Sequence, residues 1–340
     1  MSIANRAPGP AGAPVLPVAV SMGDPAGIGL DVALAAWLAR ERLRLPPFLL
    51  YGTTAAVHER ARQLNLDVPI SEVDAPAAAG VFAGALPVRP VQGSAPIVAA
   101  IEAATAAVAR GEACALLTNP IAKKSLQGAG LAYPGHTAFL GVLAARHWPG
   151  HGFRPVMMLV CEALKVVPVT VHIPLAAVPG ALTLPLLRDT IRITAAALSG
   201  DFGIAQPRIA VAGLNPHAGE GGMIGTEEER IISPAVAELA AEGLAVRGPY
   251  SADTMFHAAA RAGYDAAVAM YHDQALIPLK TLDFDHGVNV TLGLPFVRTS
   301  PDHGTAYALA GTGKARPDSF VAALRLAVDI ARRRASAPRP

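Results

Sequence analysis

Cysteine is nearly missing from this chain: Cys114 and Cys161 are the only two in 340 residues, and both sit in apolar runs, ACALL and LVCEAL. That excludes a small disulfide-stapled scaffold and predicts free, buried thiols in a reducing compartment, the cytoplasm. Charge is sparse too, at 16% of residues with a formal net of +2, and aromatics make up only 5%. No Arg/Lys stripe interleaves with aromatic residues, so a nucleic-acid surface is excluded. The basic end ARRRASAPRP reads as a solvated helix terminus and tail. No apolar run is long enough for a membrane-spanning helix, so no membrane partner is expected. The opening MSIANRAPGPAGAPVLP lacks the basic-then-apolar pattern of a signal peptide, and residues 1–16 are expected to form a flexible lead-in.

What is plentiful is small and apolar. Hydrophobic residues are 52% of the chain, while 32 Gly and 30 Pro punctuate apolar runs without forming low-complexity tracts. That composition suits a well-cored α/β enzyme. Strand-like runs (LPVAVSM, PFLLYG, ACALLTN, VMMLVC, VVPVTVHI, RIAVAGL, AAVAMYH) alternate with helix-like ones such as LDVALAAWLARERL and SFVAALRLAVDIARR. Apolar strands without strict alternation, separated by amphipathic helices, predict a mostly parallel sheet covered on both faces. In such sheets the ligand crevice lies off the carboxyl ends of the strands, so the residues that follow each strand carry the functional signal.

Three of those strands run into histidine. VVPVTVHIP gives His172, RIAVAGLNPHAGEGG gives His217 and AVAMYHDQ gives His272. Imidazole is the commonest side-chain ligand of divalent metals, and three leave coordination positions open. The spacing matches no local zinc motif, and a single strand-end histidine is more often structural. The glycine-rich loop NPHAGEGGMIG has two readings: backbone amides near an anion, or a tight turn needing positive φ at Gly219, Gly221 and Gly222. After it, Thr226 and Glu229 have the spacing of a capping box. SMGDPAGIGLD follows a strand and precedes a helix but departs from G-x-G-x-x-G and contains Pro25, so it reads as a turn lining the crevice and not as a Rossmann fingerprint. TNPIAKKSL offers Thr118, Asn119 and Lys123, and YPGHTAFLG offers His136 and Thr137. The stretch 281–315 is the densest in polar residues and glycine, and reads as a long functional loop. With Lys280 before it, it holds Asn289, Arg298, Asp302, His303 and Gly304, cationic groups suited to a carboxylate or phosphate.

GDPAGIG, GHT, VHIPL, GLNPHAGEGG, GTEE, SADT, MYHDQ, GVNVTLGLPFVRTSPDHGTA and AGTGKA occur in that order. Together they resemble the 4-hydroxythreonine-4-phosphate dehydrogenase family of pyridoxal 5′-phosphate biosynthesis, over residues 17 to 332. DHGTAYALAGTGKARP also resembles the nucleotide-binding segment of isopropylmalate and isocitrate dehydrogenases. The resemblance implies two α/β/α lobes around a central cleft, isopropylmalate dehydrogenase-like and not Rossmann. Residues 17–135 with 286–335 would form the first lobe and 136–285 the second. It implies a homodimer with sites completed across the interface, and one divalent cation per site (Zn, Mg, Co or Mn) on His172, His217 and His272. His136, Thr137, Lys280, Asn289 and Arg298 would grip a small phosphorylated amino-acid substrate. Asp302, His303, Gly304, Gly311 and Gly313 would receive NAD or NADP. Asp253 and Asp273 match acidic residues expected beside the metal, and with Lys280 form the catalytic set. One departure stands out, since Ala138 replaces the Glu of the usual GHTEF.

The implied reaction oxidises the 3-hydroxyl of 4-phosphohydroxy-L-threonine. A paralogous activity on a related phosphorylated hydroxy acid or a cis-dihydrodiol dicarboxylate needs changes only in the anion-gripping residues.

Overall fold

The computed structural model describes residues 16–122, 136–150 and 152–336. The expected lead-in, 1–16, lies almost wholly outside them. The strands are β1 (Val18–Ser21), β2 (Phe48–Gly52), β3 (Ile70–Glu72), β4 (Leu86–Pro90), β5 (Ala115–Thr118), β6 (Val156–Val160), β7 (Lys165–Thr170), β8 (Ile209–Ala212), β9 (Val246–Tyr250), β10 (Ala266–Tyr271), β11 (Val288–Leu292) and β12 (Arg298–Pro301). Among the described residues they make one sheet in the order β3-β4-β2-β1-β5-β12-β11-β6-β7-β10-β8-β9.

The pairing is parallel everywhere except at three joints in the middle, β12–β11, β11–β6 and β6–β7. An odd number of reversals inverts the strand sense, so β7, β10, β8 and β9 run opposite to β1–β5 and β12. The expected mostly parallel sheet is therefore two parallel blocks of opposite direction. The cause is local. β6 and β7 are joined by Cys161–Leu164, and β11 and β12 by residues 293–297, connections too short for a crossover but right for hairpins. The stretch 281–315 is not one long loop either, because β11 and β12 lie inside it.

Helices cover the sheet through apolar stripes. In Asp318–Ser336 the buried Phe320, Leu324, Ala327 and Ile330 recur at helical spacing, and Phe48 meets Phe82 and Phe320 edge to face at 5.1 and 5.7 Å. Helix Leu184–Gly200 starts on Thr183, whose hydroxyl accepts from the Leu186 amide. Both cysteines are free: Cys161 is buried, and burial pushes the half-buried Cys114 thiol up to about 11. No helix among the described residues is long and apolar enough to cross a membrane.

Candidate active site

Strands β7, β10 and β8 are parallel neighbours in that order, so the residues that follow them gather at one edge of the sheet. Two buried polar bridges keep those ends level. The Thr170 hydroxyl donates to the Met270 carbonyl at 2.8 Å, and the Gln274 amide nitrogen donates to the Gly213 carbonyl at 2.8 Å. His172 and His272 consequently lie with ring centroids 5.6 Å apart.

His217 sits on the next loop, outside the cleft that His172 and His272 line. Its side chain is 69% exposed, with Nδ1 3.6 Å from Glu220 Oε2. Among the described residues no three His, Cys, Asp or Glu side chains converge closely enough to hold one cation. The donor chemistry nonetheless fits a divalent transition metal: imidazoles at three neighbouring strand ends, two already paired.

The backbone at these histidines is unusual. His172 and His217 adopt left-handed φ values of 55° and 53°, a conformation that costs a non-glycine residue about 1–2 kcal/mol. From His217 through Gly222 every φ is positive, with Ala218 and Glu220 also non-glycine. The turn is braced by Glu228, which is 2% exposed. Its Oε1 accepts from the Leu214 and Asn215 amides at 2.7 Å each, and its Oε2 accepts from Asn215 Nδ2 at 2.9 Å. The expected capping box is not what starts this helix. The chain enters through a π-helical turn, Glu228–Ile232, and Glu227 before it makes no side-chain capping bond. The Glu227 and Glu228 carboxylates reach the Asn215 side chain instead. Replacing Glu228 with alanine leaves the Leu214 and Asn215 amides without their partner, while Asn215 Nδ2 keeps Glu227, and is expected to cost about 2–4 kcal/mol of stability. Thermal unfolding checks this, together with proteolysis of the 217–222 turn at a temperature where the wild type resists.

Across the face of β6, β11 and β12 runs a cleft of about 1020 Å³. It gathers most of the residues singled out from the sequence: His172, His272, Lys280, Asn289, Arg298, and the segment Asp302, His303 and Gly304. Strand geometry explains the grouping. Asn289 and Thr291 alternate on β11, Arg298 and Ser300 on β12, so each pair faces one side. The guanidinium of Arg298, 4% exposed, donates from Nη2 and Nη1 to the hydroxyls of Thr118 and Thr291 at 2.6 and 2.8 Å. Burial pushes its pKa down to about 10, which leaves it charged at neutral pH.

Lys280, two turns beyond His272 on helix His272–Leu282, has its Nζ 2.8 Å from Asp302 Oδ2. Burial holds the His303 imidazole below its ordinary pKa. Three buried polar groups of the lining have no hydrogen-bond partner among the described residues: Asn289 Oδ1, His303 Nε2, and both polar atoms of Asn119. Buried polar groups are normally satisfied, so these mark where a ligand would bond.

The acidic candidates lie farther out. Asp273, its side chain 71% exposed, has Oδ1 2.7 Å from His272 Nδ1. Asp253 is fully exposed, and its carboxyl is held below the usual range by the Ser251 hydroxyl. Gly313 borders a different cavity of about 410 Å³ with Asp31 and Arg42, and Gly311 bonds Asp31. The side chains of His136 and Thr137, at the start of helix His136–His147, and all of Lys123 lie outside the described residues. Ala138 borders the large cleft. The structure adds Thr291 and Ser300 to the residues picked from the sequence; their alternation with Asn289 and Arg298 along two strands was the available signal.

A mixed α/β sheet with a cationic, imidazole-lined cleft at its centre and no Rossmann unit defines the isopropylmalate dehydrogenase-like fold class. The model of the pyridoxal phosphate biosynthetic protein PdxA family matches residues 45–327. The chain belongs to that family. The 4-hydroxythreonine-4-phosphate dehydrogenase of Xanthobacter autotrophicus is 55% identical over 329 residues, 93% of this chain and 93% of the relative. The crystal structure of the Klebsiella pneumoniae 4-hydroxythreonine-4-phosphate dehydrogenase superposes with a TM-score of 0.79 at 38% identity, over 93% of this chain and 99% of that one. A terephthalate 1,2-cis-dihydrodiol dehydrogenase from Burkholderia xenovorans superposes with a TM-score of 0.59 at 27% identity, over 92% and 98%.

Proposed function

We propose that this protein is an NAD(P)-dependent dehydrogenase that oxidises 4-phosphohydroxy-L-threonine at its 3-hydroxyl. The observation that carries this reading is the meeting of Lys280, Asn289 and Arg298 with His172 and His272 in one cleft. Lys280 and Arg298 hold the phosphate and carboxylate, the guanidinium through its fork. The Asn289 carboxamide oxygen, buried without a partner among the described residues, accepts from a substrate N–H or O–H. His136 and Thr137 complete the grip. That fixed pose would present carbon 3 to a nicotinamide, which Asp302, His303, Gly304, Gly311 and Gly313 would hold.

A nicotinamide, when bound, would supply the hydride acceptor for carbon 3, and the carboxylate of Asp273 or Asp253 takes the hydroxyl proton, directly or through water. The product, 2-amino-3-oxo-4-(phosphonooxy)butanoate, is a β-keto acid and loses carbon dioxide to give 3-amino-1-hydroxyacetone 1-phosphate. His172, His217 and His272 would hold a divalent cation, which when bound supplies Lewis acidity to the substrate hydroxyl.

We further read the protein as a cytoplasmic homodimer, with residues 17–135 and 286–335 in one lobe and 136–285 in the other. Support for the dimer comes from exposed apolar side chains that follow each histidine in the chain: Leu175 after His172, Met223 after His217 and Ile277 after His272. Exposed apolar side chains of this size suit an association surface, across which the sites would be completed.

The test is an assay at the reduced-nicotinamide band with NAD and NADP, on enzyme stripped of metal and then given Zn, Co, Mg or Mn. Turnover of 4-phosphohydroxy-L-threonine is expected to vanish on stripping and return on restoration. Faster turnover of phosphoerythronate or a cis-dihydrodiol dicarboxylate would replace this substrate with the paralogous one.

A further inference from the structure

The GDPAGIG turn takes no part in the chemistry above, yet it is bonded tightly to the segment that carries the dinucleotide in that reading. Asp31, in the first turn of helix Gly29–Leu38, pairs with Arg60 of helix Thr54–Gln63, and their side chains are only 3% and 7% exposed. Asp31 Oδ1 accepts from the Gly311 amide at 2.7 Å. Arg60 donates to the carbonyls of Gly27 and Pro25 at 2.8 Å each, and from Nε to Gln63 Oε1 at 3.0 Å.

Farther along, the Tyr307 hydroxyl donates to Asp24 Oδ2 at 2.7 Å, and the Ile28 amide donates to the Thr305 carbonyl at 3.0 Å. The two backbones touch at Gly27, where an added Cβ would stand 2.9 Å from the Thr305 oxygen. A buried ion pair adds little net stability, because desolvation offsets most of the Coulomb attraction. What this pair does fix is register. Apart from Gln63, its partners are the turn at 25–27 and Gly311, which itself sits at φ +71°.

We propose that Asp31 and Arg60 are positioning residues for the nicotinamide dinucleotide: they lock the GDPAGIG turn to Gly311, so that the backbone from Asp302 to Gly313 is already shaped for the cofactor before it binds. This rests on the reading of that segment as the dinucleotide site. Preorganisation of this kind lowers the ordering cost of binding and leaves the chemical step alone. Tyr307, through Asp24, is the outer half of the same lock.

The experiment uses the full-length, metal-loaded enzyme as wild type, Asp31→Asn, Arg60→Lys, Arg60→Met and Tyr307→Phe. It measures KM separately for the dinucleotide and for 4-phosphohydroxy-L-threonine, with kcat and thermal unfolding alongside. Asp31→Asn and Arg60→Lys are expected to raise the dinucleotide KM by about tenfold or more, with the substrate KM and saturated kcat within about twofold of wild type. Arg60→Lys keeps the charge but not the fork, so its defect is expected to be smaller than that of Arg60→Met. Tyr307→Phe, half-exposed and tolerant, is expected to raise the same KM by about threefold, and it carries the test if the buried variants fail to fold. A fall in thermal stability with both KM values unmoved, or an equal rise in both, overturns the proposal. If the wild type reduces no nicotinamide at all, the reading of the site fails and takes this proposal with it. Wild-type turnover with unshifted variants removes the lock alone.

Discussion

His217→Ala is expected to lose bound metal and turnover together. Three neutral imidazoles are the whole of the proposed protein donor set, and removing one leaves His172 and His272, whose rings already stand 5.6 Å apart. Loss of even a partner that merely orients a ligand costs about 10–100-fold in metal affinity, so loss of a ligand itself is expected to exceed about a hundredfold. Metal content after gel filtration and activity at saturating substrate are the two readouts. They must fall in step. Undiminished turnover in metal-depleted His217→Ala would remove this histidine from the donor set. Since the imidazole is well exposed, substitution should leave folding intact.

Arg298→Met is expected to raise the KM for 4-phosphohydroxy-L-threonine by about 10²–10³-fold, the range that follows when one partner of a buried charged contact is removed. The guanidinium is pre-aimed by the Thr118 and Thr291 hydroxyls, so little ordering is needed on binding, and its loss is felt chiefly in the grip. Methionine keeps most of the volume, which limits the cavity cost. Arg298→Lys should lie between the two, because an ammonium restores charge without a planar fork. The dinucleotide KM, measured in the same preparation, is expected to hold. An unchanged substrate KM in Arg298→Met would take this residue out of the anion grip.

Much of this was readable in the chain. AVAMYHDQ proved to be a buried strand that delivers His272 to the start of a helix, and VVPVTVHI a neighbouring strand that delivers His172. Their adjacency could not be read, because strand order depends on packing between segments far apart in the chain. The reversal of direction was signalled by the four-residue link between VMMLV and KVVPVT, a length that permits only a hairpin. Helix Leu184–Gly200 announced itself less plainly, although Thr183, Pro185 and the recurrence of Leu187, Thr190, Ile191, Thr194 and Leu198 carry the helical period. The Thr226/Glu229 spacing misled. Thr226 does stand at the boundary, but the buried Glu228 is drawn to the Leu214 and Asn215 amides and the helix start winds wider to suit it.

The inverted middle of the sheet has a bearing on how such a catalyst can be divided. Since β5 and β12 end toward one rim and β7 and β10 toward the other, Asn119 and Asp302 approach a bound molecule from the opposite side to His172 and His272. Each parallel block thus owns one flank of the large cleft. A fragment that kept one block alone would carry either the imidazoles or the Asn119 and Asp302 flank, and neither piece is expected to turn over substrate by itself.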